Sequence, residues 1–270
     1  MKLPNAPLVE VVFELRWALR GGEDLPPPLR ADPGFELLAD SFTETATGQG
    51  FPVRKDMNPT GIGALGHSVK YRYSRSVDEP FPLWQIGPGI FACNQATEYE
   101  WEEFRELVSN GVRALFSSYP KSKTISILPV YLELRYIDVF NKKLVGHYDL
   151  IRFLRENTSF SVQLSDLLNS ETFSGETTGL LRILRTLRND KNTQFQLEVG
   201  TGQSNQKRSL FATSRVIKHG DPIELGINIR TKIKNIVHWI DIAHEITSPF
   251  FKDFVSTDLM EKFVKEPRKV

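Results

Sequence analysis

Glu14-Leu15-Arg16-Trp17 lies inside the apolar run NAPLVEVVFELRW (5–17). Its pattern returns as Glu133-Leu134-Arg135-Tyr136 inside ISILPVYLELRYIDVF (125–140). A charged tetrapeptide held twice in strand-like surroundings marks either a chemical signature used twice or a fold built twice. Val9, Val11, Phe13, Leu15 and Trp17 alternate with Glu10, Glu14 and Arg16, the period of a strand with one buried face. If strands 9–17 and 131–139 pair antiparallel, one register sets Glu14 opposite Arg135 and Arg16 opposite Glu133, a structural use of the charged pairs.

The order of the remaining signals favours the second explanation. After the first motif come a Pro-rich loop (21–34), a short helical stretch (35–42) and an irregular Gly/Pro-rich segment (47–66). Strand patterns follow at 67–75, 82–86 and 89–95, the last two joined by the turn Gly87-Pro88-Gly89. A helix over 98–118 carries the stripe Trp101, Phe104, Val108, Val112, Leu115 and Phe116, with Thr97 and Glu100 at capping-box spacing. After the second motif, 149–156 reads as a helix, and 178–190 fits helix or strand. Strands are predicted at 193–200, 209–217 and 223–233, then a long helix from Asn235 to about Val264 that Ser248-Pro249 kinks or splits. There Trp239, Ile242, Ile246, Phe250 and Phe254 repeat the offsets of the first stripe. The expectation is an α+β fold made by internal duplication of a β-α-β-β-β-α unit, with two antiparallel sheets each covered by a long helix. Residues 1–120 and 121–270 would be the two repeats, free to pack as one compact domain. Such units resemble the helix-grip and TATA-binding-protein-like architectures, a likeness of fold that carries no function.

Hydrophobic residues make up 40% of the chain, enough for a substantial core. No run approaches the roughly 20 apolar residues that span a bilayer, and the start MKLPNAPLVEVVF lacks a leader pattern. A cytoplasmic protein is expected. The one cysteine, Cys93, excludes an internal disulfide and a thiolate zinc cluster, and its place in a strand reads as a small buried hydrophobe. The net charge of +1 does not suggest a dedicated nucleic-acid binder, although charge is unevenly spread. Residues 121–270 carry 23 Lys and Arg against 17 Asp and Glu, leaving 11 against 16 for residues 1–120.

Familiar chemistry is scarce. His67, His147, His219, His238 and His244 form no H-E-x-x-H or H-x-H motif, and no Walker, G-x-S-x-G or dinucleotide fingerprint occurs. His244 falls two positions after the stripe residue Ile242 and reads as a surface or interface histidine. GIGALG (61–66) precedes a strand and not a helix, which makes it a loop and not a phosphate cradle. Glu133 and Asp138 fall on opposite faces of one strand, so they are not a carboxylate pair. Nothing in the sequence implies a metal or a cofactor, and no catalytic residue is assigned.

The clearest binding signal is basic. Arg182, Arg185 and Arg188 recur every three residues, and Arg215, Arg230, Lys232 and Lys234 follow in predicted strands. Arg230, Lys232 and Lys234 alternate with Ile229, Thr231 and Ile233. On neighbouring strands these cations would form a patch for an anionic ligand or an acidic protein; the plain alternative is a solvated face.

Together NAPLVEVVFELRW, LWQIGPGIFACN, YEWEEF, LELRYIDVF and WIDIAHEITSPFFKDF resemble a sporadically distributed, uncharacterised prokaryotic family of about this length. The resemblance covers nearly the whole chain. It implies no activity, cofactor or site residue, and its patchy distribution implies accessory functions such as phage defence or toxin–antitoxin systems. The expected function is a non-catalytic binding or partner protein whose contact surfaces are the basic sheet and the cleft between repeats. Its partner would be another protein or an anionic ligand, with nucleic acid and self-association left open. The alternatives are a small-molecule-binding module with a pocket between a long helix and its sheet, and a hydrolase or nuclease with an unrecognised site. A pocket lined by Trp101 or Trp239 would favour the former.

Overall fold

The computed structural model describes residues 6–20, 24–26, 29–57, 66–96, 99–122, 126–162, 175–204 and 206–264. Thr97 and most of GIGALG lie outside them. The first motif opens β1 (Leu8–Trp17), followed by α1 (Phe35–Gly48), β2 (Val53–Asp56), β3 (Tyr71–Ser74), β4 (Leu83–Gly87), β5 (Ile90–Gln95) and α2 (Trp101–Ser118). The second motif lies in β6 (Pro129–Phe140), followed by α3 (Lys142–Val145), α4 (Leu150–Asn157), β7 (Leu180–Leu187), β8 (Asp190–Ser204), β9 (Lys207–His219), α5 (Ile229–Phe254) and α6 (Thr257–Val264).

The class is α+β, but the two expected sheets are one. The nine strands of the described residues form a single antiparallel sheet in the order β2-β3-β4-β5-β1-β6-β9-β8-β7. The join is β1 against β6, across the expected repeat boundary. Their antiparallel pairing agrees with the sequence; the register does not. Glu14 faces Glu133, Arg16 faces Tyr131 and Val12 faces Arg135, two residues from the cross-strand salt-bridge register. Each carboxylate is answered within its own strand, Glu14 by Arg16 and Glu133 by Arg135 at 3.7 Å, and Arg215 on β9 adds a contact to Glu133 at 3.6 Å. Like charges placed opposite one another are tolerable here because each brings its own counter-ion.

The helices α1, α2 and α5 pack into one core with Val11, Phe13, Leu15 and Trp17 of β1 and Leu132 and Leu134 of β6. A second cluster joins Phe140 of β6, Phe153 of α4, Leu197 and Val199 of β8, Phe254 of α5 and Phe263 of α6. Cys93 is buried in the first, where desolvation raises its thiol pKa, as a packing role requires. The other sheet face is polar. Arg72 donates to Gln85, Gln85 to Asn94 and Asn94 to Glu10, a chain running from β3 to β1.

Four local expectations are corrected. The alternation over 223–233 is not a strand: Asn228 accepts from the Thr231 amide at 2.8 Å, so α5 starts at Ile229 and not near Asn235. Ile227 is wholly exposed, which shows that the alternation in this stretch does not follow burial. Pro249 does not end α5; it and Glu245, whose carbonyl it leaves without a helical donor, both face solvent. On that helix the buried line is Ile236, Trp239, Ile240, Ala243 and Thr247, while Ile242 is 38% exposed. Helix α2 begins at Trp101 with Glu100 as its N-cap and no side-chain cap hydrogen bond, in place of the expected capping box.

Two contacts make measurable claims on stability. A Cβ added at Gly111 of α2 would lie 2.6 Å from Phe91 and 2.7 Å from Trp84, so the helix reaches the sheet only because that side chain is absent. Gly111→Ala is expected to lower unfolding free energy by about 1–3 kcal/mol in urea titrations, overpacking outweighing the gain in helix propensity. Asp32 accepts hydrogen bonds from Trp17 Nε1 at 3.0 Å, Tyr119 at 2.6 Å and the amides of Gly34 and Gly89. Asp32→Ala strands several buried donors, and a loss on the order of 3 kcal/mol is expected in the same assay, more than for Trp17→Phe.

Candidate functional site

Because β1 and β6 adjoin, α2 and α5 lie side by side over the join. Arg105 of α2 grips Asp241 of α5 through two hydrogen bonds, at 2.7 and 3.0 Å. One turn away, Trp101 stacks on His244 with ring centres 3.9 Å apart and planes 6° from parallel. Below that stack the sheet is not covered. A cleft of about 1260 Å³ opens there, bounded by the start of β1, the α2 N-terminus, β6, β9, α5 and α6. Its walls include Tyr99, Trp101, Tyr136, Phe251 and Met260, and its polar groups include Asp138, Ser214, His244 and Lys252.

The side chains of β6 explain how a charge reaches this depth. Leu132, Leu134, Tyr136, Asp138 and Phe140 occupy successive core-facing positions, each less than 10% exposed. Asp138 is therefore a carboxyl group at a position the strand otherwise gives to apolar residues. It is 4% exposed and has no hydrogen-bond or ion-pair partner among the described residues, yet it lines the cleft. Burial pushes its carboxyl pKa up to about 8, because the ionised form loses hydration and gains nothing from neighbours. Ser214, paired with Tyr136 across β6 and β9, is 5% exposed and also faces the cleft without a hydrogen-bond partner among the described residues.

Beside them runs a satisfied hydrogen-bond chain. The hydroxyls of Tyr99 and Tyr136 are 2.9 Å apart, and the Tyr136 hydroxyl lies 2.7 Å from His244 Nδ1. Burial lowers the His244 pKa to about 4, with the Asp241 carboxylate opposing the shift. The ring is thus neutral near pH 7 and can accept a proton-bearing partner at Nδ1. This histidine is a half-buried interface residue, as expected, but it points toward β6 and α2 and not into solvent.

The basic residues singled out from the sequence do not converge. Arg182 of β7 and Arg215 of β9 meet on the polar sheet face through Glu198, at 2.6 and 2.7 Å. Arg185 is exposed on the opposite face of β7, and Arg188 lies in the β7–β8 turn. Arg230, Lys232 and Lys234 occupy the first turns of α5 in place of the predicted strand, with Lys232 seated 5.5 Å over the Phe116 ring. Glu14, Arg16, Glu133 and Arg135 stay together at the β1–β6 join on the polar face, in the register described above. Tyr99, Tyr136, Asp138 and Ser214 were not singled out as site residues. The available signal was Asp138 itself, a carboxylate among core-facing positions of a strand. Among the described residues, three or more His, Cys, Asp or Glu side chains able to hold a metal ion do not gather anywhere, and no helix of those residues is long and apolar enough to cross a membrane. Compared with known proteins, the chain matches no family model, no curated sequence and no solved structure.

Proposed function

We propose that this protein is a small-molecule-binding module in which the cleft between α2, α5 and the sheet holds the ligand. Within this reading the fold is a duplicated one. Each half sets its motif strand beside its last strand (β1 beside β5, β6 beside β9), and the two motif strands meet at the join. The observation that carries the reading is the unpartnered Asp138 carboxyl in a cleft walled in part by aromatic rings. A polar group buried without a partner destabilises a fold, and a position of that kind is explained by a ligand that completes it. The mixture of aromatic and aliphatic walls with buried polar groups fits the common composition of small-molecule sites. A partner-protein role through a basic patch has less support, since the cations are spread over both sheet faces and Arg182 and Arg215 are answered by Glu198. An accessory prokaryotic setting rests on the sequence resemblance alone.

The test uses a neutral, environment-sensitive apolar dye such as Nile red. Saturable fluorescence enhancement is expected with the intact chain, and Ser214→Phe, which puts a ring into the cleft, should remove it while the protein stays folded by circular dichroism. Dye binding that Ser214→Phe leaves unchanged would place the apolar site elsewhere and overturn the proposal. The buried acid makes a second, independent claim. Asp138 is protonated in the folded chain up to about pH 8 but ionises near its ordinary value of 3.8 when unfolded. Its contribution to stability is complete below the unfolded value and is lost as pH rises through the folded one. Asp138→Asn, which stays neutral, should raise the melting temperature relative to the native chain at about pH 8–9 and change it little near pH 4.

A further inference from the structure

Resting on the cleft reading, we infer that the ligand is an organic cation, an amine or amidinium on an apolar body, with its charged nitrogen against Asp138 and Ser214 and its body against Trp101 and Tyr136. Four observations converge on this class. The Asp138 carboxyl is buried and unpartnered, and a cation is the partner that restores the solvation its ionised form has lost. The Ser214 hydroxyl, on the same sheet face and diagonal to Asp138 across β6 and β9, can accept one N–H of the same group. The walls include the rings of Tyr99, Trp101, Tyr136 and Phe251, and ring faces attract ammonium and guanidinium groups. The remaining charges lean the same way: Glu100 and Glu102 line the cleft with Lys252 as the one basic residue among its lining, and His244 is held neutral by burial. An anionic ligand would meet Glu100 and Glu102 and would hold Asp138 in its neutral form; a neutral one would leave Asp138 as it is.

Binding carries a proton linkage. The empty cleft holds Asp138 as the neutral acid up to about pH 8, so a cation that pairs with the carboxylate releases the acid proton to solvent. Affinity should therefore rise with pH until Asp138 is ionised in the free protein. Of the other groups facing it, His244 stays neutral across that range, and burial raises the Tyr99 and Tyr136 hydroxyl pKa values, which keeps them protonated.

The experiment compares 3-phenylpropylamine with its neutral isostere 3-phenylpropanol by calorimetry at about pH 6.5 and pH 8.5, in two buffers of different ionisation enthalpy. Nile red displacement runs alongside it. The amine is expected to bind at least about tenfold more tightly than the alcohol at the higher pH, with proton release at the lower. Asp138→Asn should abolish both the preference and the proton release while staying folded by circular dichroism. Equal affinity for amine and alcohol, or a preference that survives Asp138→Asn, overturns the cation inference. If Nile red binds and neither amine nor alcohol displaces it, the cation inference falls and the cleft reading stands. If Nile red does not bind at all, both fall.

Discussion

The antiparallel pairing of β1 with β6 is the contact on which the rest of the molecule depends. Without it the chain would hold two sheets of five and four strands, each with an exposed edge of unpaired amides and carbonyls. With it those edges satisfy one another, and the sheet becomes continuous across the halves. The helices have no choice after that. α2 follows β5, and α5 follows β9, so the strands next to the join bring both helices over it. The Arg105–Asp241 pair and the Trp101–His244 stack fix their approach at one end. The cleft is the volume they leave uncovered, and its residues are far apart in sequence because the join makes them neighbours.

Two buried aspartates show how differently one side chain can be used in one core. Asp32 accepts from an indole, a phenol and two backbone amides, and closes the contact between β1, the β4–β5 turn and the end of α2. Its lone pairs are occupied and its role is structural. Asp138 is buried to a similar degree, 4% against 8%, and meets none of this. Desolvation is the cause of its raised pKa, with no donor or cation to offset it. The difference between the two carboxyl groups thus lies in their partners, not in their depth.

The strands with strict alternation and the long amphipathic helices were legible in the sequence, because burial of one face imposes a period that residues report directly. β6 and α2 follow it closely, whereas β5 is buried on both faces and is marked in the sequence by its apolar run and the Gly87-Pro88-Gly89 turn. The stretch 223–233 was misread because Ile223, Leu225, Ile227, Ile229 and Ile233 alternate like a strand, while a single cap at Asn228 decides the outcome. One hydrogen bond outranked five apolar residues there. The register of β1 against β6 was equally beyond sequence reasoning. Charge complementarity suggested Glu14 opposite Arg135, but each glutamate already has an arginine two residues along its own strand, and that local answer released the cross-strand one. The site was illegible for a third reason. Tyr99, Asp138, Ser214 and His244 come from four elements, and no spacing in the chain announces that they meet.

The echoed tetrapeptide ends in an aromatic residue each time, and the two aromatics have opposite surroundings. Trp17 is fully buried; its indole nitrogen reaches Asp32 and its ring packs edge-on against Tyr119. Tyr136 extends its hydroxyl to Tyr99 and His244, and its ring borders the open cleft. Around Trp17 the polar atoms are matched and the space is filled. Around Tyr136 the matched chain ends beside Asp138 and Ser214, whose polar atoms have no protein partner among the described residues. The two tetrapeptides lie on the paired strands β1 and β6, and the packing around each decides which aromatic becomes core and which borders open space. In this protein the first motif is closed by an acid that belongs to the fold, and the second is left with an acid that the fold does not use.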